Sequence, residues 1–183
     1  LVPGNSVTIA SEQIMSYIEN NNPIVISVNF VPEFIKPDYV YMSNTKRYQY
    51  WRNNKKFREC KKILTSNIEH GGVENVEVIS FVRLIKCGWE HLDNSTIMLL
   101  RLLDILGVSK ISIAGFDGYS TVREGELNYA TSYLELSSAN VKPSEFNEEI
   151  SDMLRDFNAN RNNPNVPIEF ITPSRFQSCF ERK

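Results

Sequence analysis

Apolar residues in this chain fall into short continuous runs, and the stretches between the runs carry them at intervals of three and four. The runs at 24–28, 39–42, 63–65, 76–84, 111–114 and 168–171, with a stub at Leu1-Val2, are rich in Ile and Val and do not alternate cleanly with polar residues. That is the pattern of strands covered on both faces in a parallel sheet. Helical spacing fills the gaps. Residues 8–21 carry Ile9, Ile14, Met15 and Ile18 and stop before Pro23, which bars further helix. Residues 94–106 are apolar on nearly every face, from Ile97 to Leu106, with Asp93, Asn94 or Ser95 to cap the start and Gly107 to end it; this pattern predicts a buried helix. Residues 143–160 place Phe146, Ile150, Met153, Leu154 and Phe157 on one face. The stretch 115–141 is polar and rich in Tyr, and its pattern leaves helix, lid and loop open.

Strands alternating with helices predict the α/β class: a three-layer, doubly wound, mostly parallel sheet built as one domain over residues 1–183. In such sheets ligands bind at the C-terminal ends of the strands. Length and composition agree with this. The 183 residues are 42% hydrophobic and 23% charged, enough to bury a core without disulfides or metals. A net charge of −2 argues against a nucleic-acid partner, which needs a basic face. Cys60, Cys87 and Cys179 have no paired spacing, so they read as reduced thiols in a cytoplasmic protein, with no metal site. No apolar run approaches the roughly 18 residues of a membrane span, and the start lacks a signal-peptide pattern. The opening Leu1-Val2-Pro3-Gly4 reads as the end of a strand in a chain that continues upstream.

Candidate chemistry gathers on the expected rim. Pro3-Gly4-Asn5-Ser6 lies between the strand stub and a helix, where glycine permits close approach and the helix N-terminus offers N–H groups to a phosphate. Equally, Gly4 makes a turn and Asn5, Ser6 or Thr8 caps the helix. Asn29 and Asn44 follow strands, so their amides converge on one crevice toward a base or ribose, although Asn is also a common turn residue. Asp117, in Gly115-Phe116-Asp117-Gly118, is placed to meet a sugar hydroxyl or a metal, or to cap the next segment. His70 and His91 lack surrounding motifs and read as turn or exposed histidines, each a general base if it faces the crevice. The stretch 45–62 holds Lys46, Arg47, Arg52, Lys55, Lys56, Arg58, Lys61 and Lys62 beside Tyr48, Tyr50 and Trp51. It reads as an amphipathic helix whose charges stay in water, with a basic patch facing a phosphate-bearing ligand or RNA as the alternative.

Three segments carry a resemblance: Pro3-Gly4-Asn5-Ser6; Val25-Ile26-Ser27-Val28-Asn29-Phe30; and Asn94-Ser95-Thr96 through Gly107 to Ala114-Gly115-Phe116-Asp117. Together they resemble the nucleotide-binding core of bacterial sialyltransferases and related sialyltransferase-like Rossmann domains. The resemblance implies nucleotide contacts from Asn5, Ser6 and Asn29, and contacts to the nucleotide or its sugar from Ser95 and Asp117. The chain departs from that family in lacking the second glycine of its Gly-Asn-Gly-Pro-Ser loop, and neither histidine takes the family's catalytic role by position.

A second resemblance covers almost the whole chain. Pro23-Ile24-Val25-Ile26-Ser27-Val28-Asn29-Phe30-Val31-Pro32-Glu33 with Pro37-Asp38-Tyr39-Val40-Tyr41-Met42-Ser43-Asn44-Thr45-Lys46-Arg47-Tyr48 is similar to the C-terminal extension of bacterial 4-hydroxy-2-oxovalerate aldolase-like proteins. There a barrel of the HMG-CoA lyase type precedes such a domain, which implies an upstream aldolase-type barrel as partner and a lyase active site outside these residues. The expectation is an accessory Rossmann-like domain that binds a nucleotide or nucleotide-linked sugar through Gly4, Asn5, Ser6, Asn29, Asn44, Ser95 and Asp117, with no other cofactor implied. The rivals are a sialyltransferase-like glycosyltransferase, and a scaffold that dimerises or docks the barrel.

Overall fold

The computed structural model of the chain describes residues 1–91, 93–120, 128–130 and 142–181. The strands among these residues are β1 (Ile26–Val28), β2 (Tyr39–Met42), β3 (Lys61–Thr65), β4 (Val76–Ile79), β5 (Ile111–Ile113) and β6 (Ile168–Phe170). The first four form a parallel sheet in the order β1-β2-β3-β4, and β5 pairs in parallel with β6. Residues 1–4 lie between the two sheets and bond to both. Leu1 and β1 exchange bonds through Ile26 O and Val28 N, while Val2 N donates to Ala114 O and Gly4 N to Gly115 O. The chain therefore runs outward from residues 1–4 through β1 to β4, then returns to add β5 and β6 on the other side. The reversal point falls between residues 1–4 and β5, where an open α/β sheet leaves a crevice.

Two glycines make that seam possible. A Cβ on Gly115 would stand 1.9 Å from Val2 O, and one on Gly4 would stand 2.3 Å from Gly115 O, both against backbone that cannot yield. Gly115 also has φ +81, a conformation that only glycine adopts without strain.

Helices cover both faces. On one side α1 (Ser6–Ile9) and α2 (Ser11–Asn21) pack Val7 and Ile14 with Val40, Met42 and Leu64. On the other, α5 (Phe81–Leu84) and α6 (Ser95–Leu106) pack Leu84, Met98, Leu99 and Leu102 on Val28 and Tyr41. Alternate residues of β2 thus feed opposite cores, as the two-residue period of a strand requires. The helix α7 (Pro143–Ala159) joins Ile97 and Leu100 of α6 over Ile111 and Ile113, through Ile150, Met153, Leu154 and Phe157. The result is the three-layer, Rossmann-like α/β fold that the strand pattern predicts.

Several local expectations need correction. The helix expected at 8–21 is interrupted at Ala10 (φ −97, ψ 24), and Asn22, at φ 44, closes it. Strand 76–84 ends at Ile79, and Phe81 begins α5, so an apolar run alone did not separate strand from helix. The apolar 94–106 helix is not buried throughout, since Ile105 is 57% and Leu106 65% exposed. Stretch 45–62 is not one helix: α3 (Thr45–Trp51) and α4 (Lys55–Glu59) are separate, each capped by an Asn side chain, and Lys61 starts β3. Lys62 is 0% exposed, its ammonium donating to the carbonyls of Arg58 at 2.8 Å, Cys60 at 2.6 Å and Glu74 at 3.2 Å. Of the Tyr-rich stretch 115–141, residues 121–127 and 131–141 lie outside the described residues.

Candidate functional site

At the reversal point the C-terminal ends of residues 1–4, β1, β2 and β5 open onto a cleft of about 970 Å³, solvent at its mouth included. The N-terminal end of α6 and the first half of α7 complete its lining. Asn29, Asn44 and Arg47 line the cleft after β1 and β2, while Tyr119, Phe146, His91 and Glu149 form one contiguous aromatic flank.

Asn29 follows β1 directly and has φ 61, a left-handed conformation that Asn tolerates better than most residues. Its backbone N–H donates to Tyr41 O at 2.9 Å, and its carbonyl accepts from Trp51 Nε1 at 3.2 Å. Its side-chain Oδ1 is buried and has no partner. Leaving an acceptor in that state costs about 1–3 kcal/mol, and such orphans call for an explanation.

Asn44 caps α3, its side chain accepting from Arg47 N at 3.1 Å, and this turns the following Arg47 into the cleft lining. Ser95 begins α6 and accepts from Ser43 Oγ at 2.7 Å. Asn94 caps the same helix, accepting from Thr96 N at 2.8 Å. With 12 residues, α6 is long enough to present a positive dipole end, and that end faces the cleft. Beneath it, burial pushes the Tyr41 phenol well above its ordinary range, so Tyr41 stays neutral.

Among the described residues three carboxylates line the cleft, and the protein itself engages each. Asp93 accepts from Lys86 N at 2.8 Å and pairs with Arg101. Asp117 accepts from Ser6 N at 2.8 Å and from Ser6 Oγ. Glu149 accepts from the backbone N of His91 at 2.8 Å and lies 2.6 Å from its Nδ1. Among the described residues no group of three or more His, Cys, Asp or Glu is arranged to hold a metal ion.

Of the residues singled out in the sequence, Gly4, Asn29, Asn44, Ser95 and Asp117 come together in the cleft lining, whereas Asn5 and Ser6 are not part of it. The expected phosphate cradle at Gly4-Asn5-Ser6 is taken by Asp117, whose carboxylate occupies the start of α1. Ser6 Oγ is further tied to Thr172 Oγ1 at 3.0 Å, and the N–H of Asn5 donates to Asn128 O. Asp117 therefore faces inward as a strut between β5 and α1. His70 lies away from the cleft, where its carbonyl accepts from Tyr48 Oη at 2.6 Å. His91, read as a turn histidine, lines the cleft instead. Its partner Glu149 is 58 residues away, on a helix whose pattern signals only a packed face, so no local motif could have disclosed the pair. Arg47 was submerged in a basic run that gave no reason to choose it.

No family model, curated protein or solved structure matches the chain.

Proposed function

We propose that the cleft binds a nucleotide or a nucleotide-linked sugar. The observation that carries this reading is the buried, unpartnered Oδ1 of Asn29 at the reversal point of the sheet. The amide of Asn29 lines the cleft and offers both a donor and an acceptor, which suits a base edge or a ribose hydroxyl. Phosphate has its own place at the start of α6, where the helix dipole and Arg47 supply positive character. The amide flank takes the nucleoside, and the aromatic flank of Tyr119 and Phe146 takes the group attached to it. Among the described residues every lining carboxylate already has a protein partner, which reduces the repulsion an anionic ligand meets.

The wider setting is a cytoplasmic, accessory Rossmann-like domain joined to an upstream aldolase-type barrel, a reading supported by the resemblance of residues 23–33 and 37–48. No helix among the described residues is long and apolar enough to cross a membrane, which fits that setting.

A thermal-shift screen against CMP, CMP-sialic acid, UDP-sugars, CoA and NAD tests the proposal. A ligand at a hundred times its Kd stabilises the folded state by about 2.7 kcal/mol, or roughly 5–11 °C for a chain of this size. A shift confined to one nucleotide class is expected. If none of them raises Tm, the reading fails and the scaffold alternative takes its place.

A further inference from the structure

We propose that the basic surface of α3 and α4 carries a single-stranded nucleic acid whose end nucleotide sits in the cleft. The inference rests on the nucleotide reading above and names the larger ligand to which that nucleotide belongs.

Charge is strongly segregated along the chain. Residues 45–61 hold seven Lys and Arg against one acid, Glu59, in a protein whose net charge is −2. Burial sorts this run into two sides. Tyr48, Trp51 and Phe57 turn inward and pack with Val7, Ile14 and Met42, while Lys46, Arg52, Lys55, Lys56, Arg58 and Lys61 are exposed. Opposition on the outer side is slight. Glu33 pairs with Lys56, but the two side chains are 81% and 51% exposed, and pairs so open to water hold weakly.

The sheet gives this surface a direction. Strands β2 and β3 are parallel, with Tyr39 beside Lys61 and Met42 beside Leu64, so the chain leaves β2 at the cleft edge of the sheet and enters β3 at the opposite edge. The cations therefore run from Arg47, which lines the cleft, to Lys61, whose ammonium stands 5.5 Å over the Tyr39 ring. Five residues of strand separate the two edges, or roughly 17 Å.

A track of cations fits a polyanion, because each phosphate that meets one releases condensed counterions. Continuity with the cleft favours nucleic acid over an acidic protein: Arg47 belongs both to the run and to the cleft lining, so the phosphates beyond the end nucleotide pass directly onto α3. Tyr50, 56% exposed among the cations, is the kind of side chain on which bases stack. A bilayer is the poorer fit, since a membrane-binding helix face also inserts apolar side chains, and the exposed large hydrophobic residues other than Tyr50 lie outside the run. The strand is single because a paired end would have to open before its nucleotide entered the cleft.

The test uses the full chain and a fluorescein-labelled uridine decanucleotide, followed by anisotropy over a salt series. Calorimetry with CMP and UDP is run in parallel, together with sedimentation on vesicles of phosphatidylserine and phosphatidylcholine. At low salt the decanucleotide is expected to bind about tenfold or more tightly than either mononucleotide, with log K falling against log salt at a slope of about −2 to −3, as for three or four phosphate contacts. Lys55→Gln combined with Arg58→Gln keeps Phe57 in the core and should weaken the decanucleotide about tenfold, flatten the slope by about 1.4 and leave CMP and UDP within about twofold. Partial unfolding would lower the active fraction without changing the slope, so the slope reports the contacts themselves. A decanucleotide that binds no more tightly than CMP or UDP overturns the inference, as does an unchanged slope in the double variant, or binding to the vesicles in place of the decanucleotide. Failure of CMP and UDP to bind the wild type overturns the reading of the cleft instead.

Discussion

Replacing Asp117 with Ala separates two roles for a residue that sequence reasoning places on the ligand side. Its carboxylate accepts from Ser6 N at 2.8 Å and from Ser6 Oγ, across 111 residues of chain. Hydrogen bonds to a charged group are worth about 1.5–3 kcal/mol each. The two here share one donor residue and are not additive, and Ser6 Oγ keeps Thr172 Oγ1 at 3.0 Å. The expected loss is about 2–4 kcal/mol, which lowers Tm by roughly 5–15 °C in a chain of this length. Asp117→Asn keeps a neutral acceptor for one of the donors and should lose about half as much. Thermal and urea denaturation of both variants, with nucleotide titration of the folded proteins, give the answer. A strut predicts a large stability loss and nearly normal affinity in the protein that remains folded. The reverse result, Tm within about 2 °C of wild type with nucleotide affinity lost, would refute the reasoning and return Asp117 to the ligand.

Three further outcomes are expected. Lys62→Met keeps the volume but leaves the carbonyls of Arg58, Cys60 and Glu74 without their donor, so urea denaturation should show a loss of about 1–3 kcal/mol; an unchanged midpoint would mean that those carbonyls find other partners. Cys87 is exposed while Cys60 and Cys179 are buried, and burial raises both of their thiols. A disulfide exchange reagent should therefore label one thiol quickly in the native protein and all three in denaturant, and fast labelling of a second would contradict the packing. The Lys110 ammonium, with Tyr17 and Ser112, holds the Glu169 carboxyl below its ordinary value. A group depressed in the folded state contributes stability above its unfolded pKa and loses it as pH falls through the folded pKa. Acid titration should thus destabilise the wild type more than Glu169→Gln, and parallel curves would remove Glu169 from the account.

What could be read from the sequence followed local periodicity. Short apolar runs located β1, β2, β5 and β6, and the placement of Asn29 and Asn44 after strands put them on one rim, because in a parallel sheet every strand end of one sense lies on the same edge. Gly107 at φ 68 closes α6 as its position suggested. What could not be read depends on partners distant in sequence. Asp117 reaches the start of α1 only because β5 is laid beside residues 1–4, and His91 meets Glu149 only because α7 crosses the start of α6. The solvated-face reading failed at Lys62 because backbone carbonyls at the end of α4 and before β4 accept its ammonium. A charge run carries no sign of that exception. The start of α1 is taken by Asp117 for a related reason, since a helix start attracts an anion whether it comes from a ligand or from the chain.

The most direct test of the nucleotide reading is calorimetric titration of CMP and UDP into the wild type and into Asn29→Gly, a change that keeps the left-handed backbone and removes only the amide. The account predicts one saturable site for at least one nucleotide, weakened by about 1–3 kcal/mol when the buried acceptor is gone, in a ligand-free protein no less stable than wild type, because an unpaired acceptor is no longer buried. Binding of equal strength in Asn29→Gly, or no binding of either nucleotide to the wild type, would contradict it.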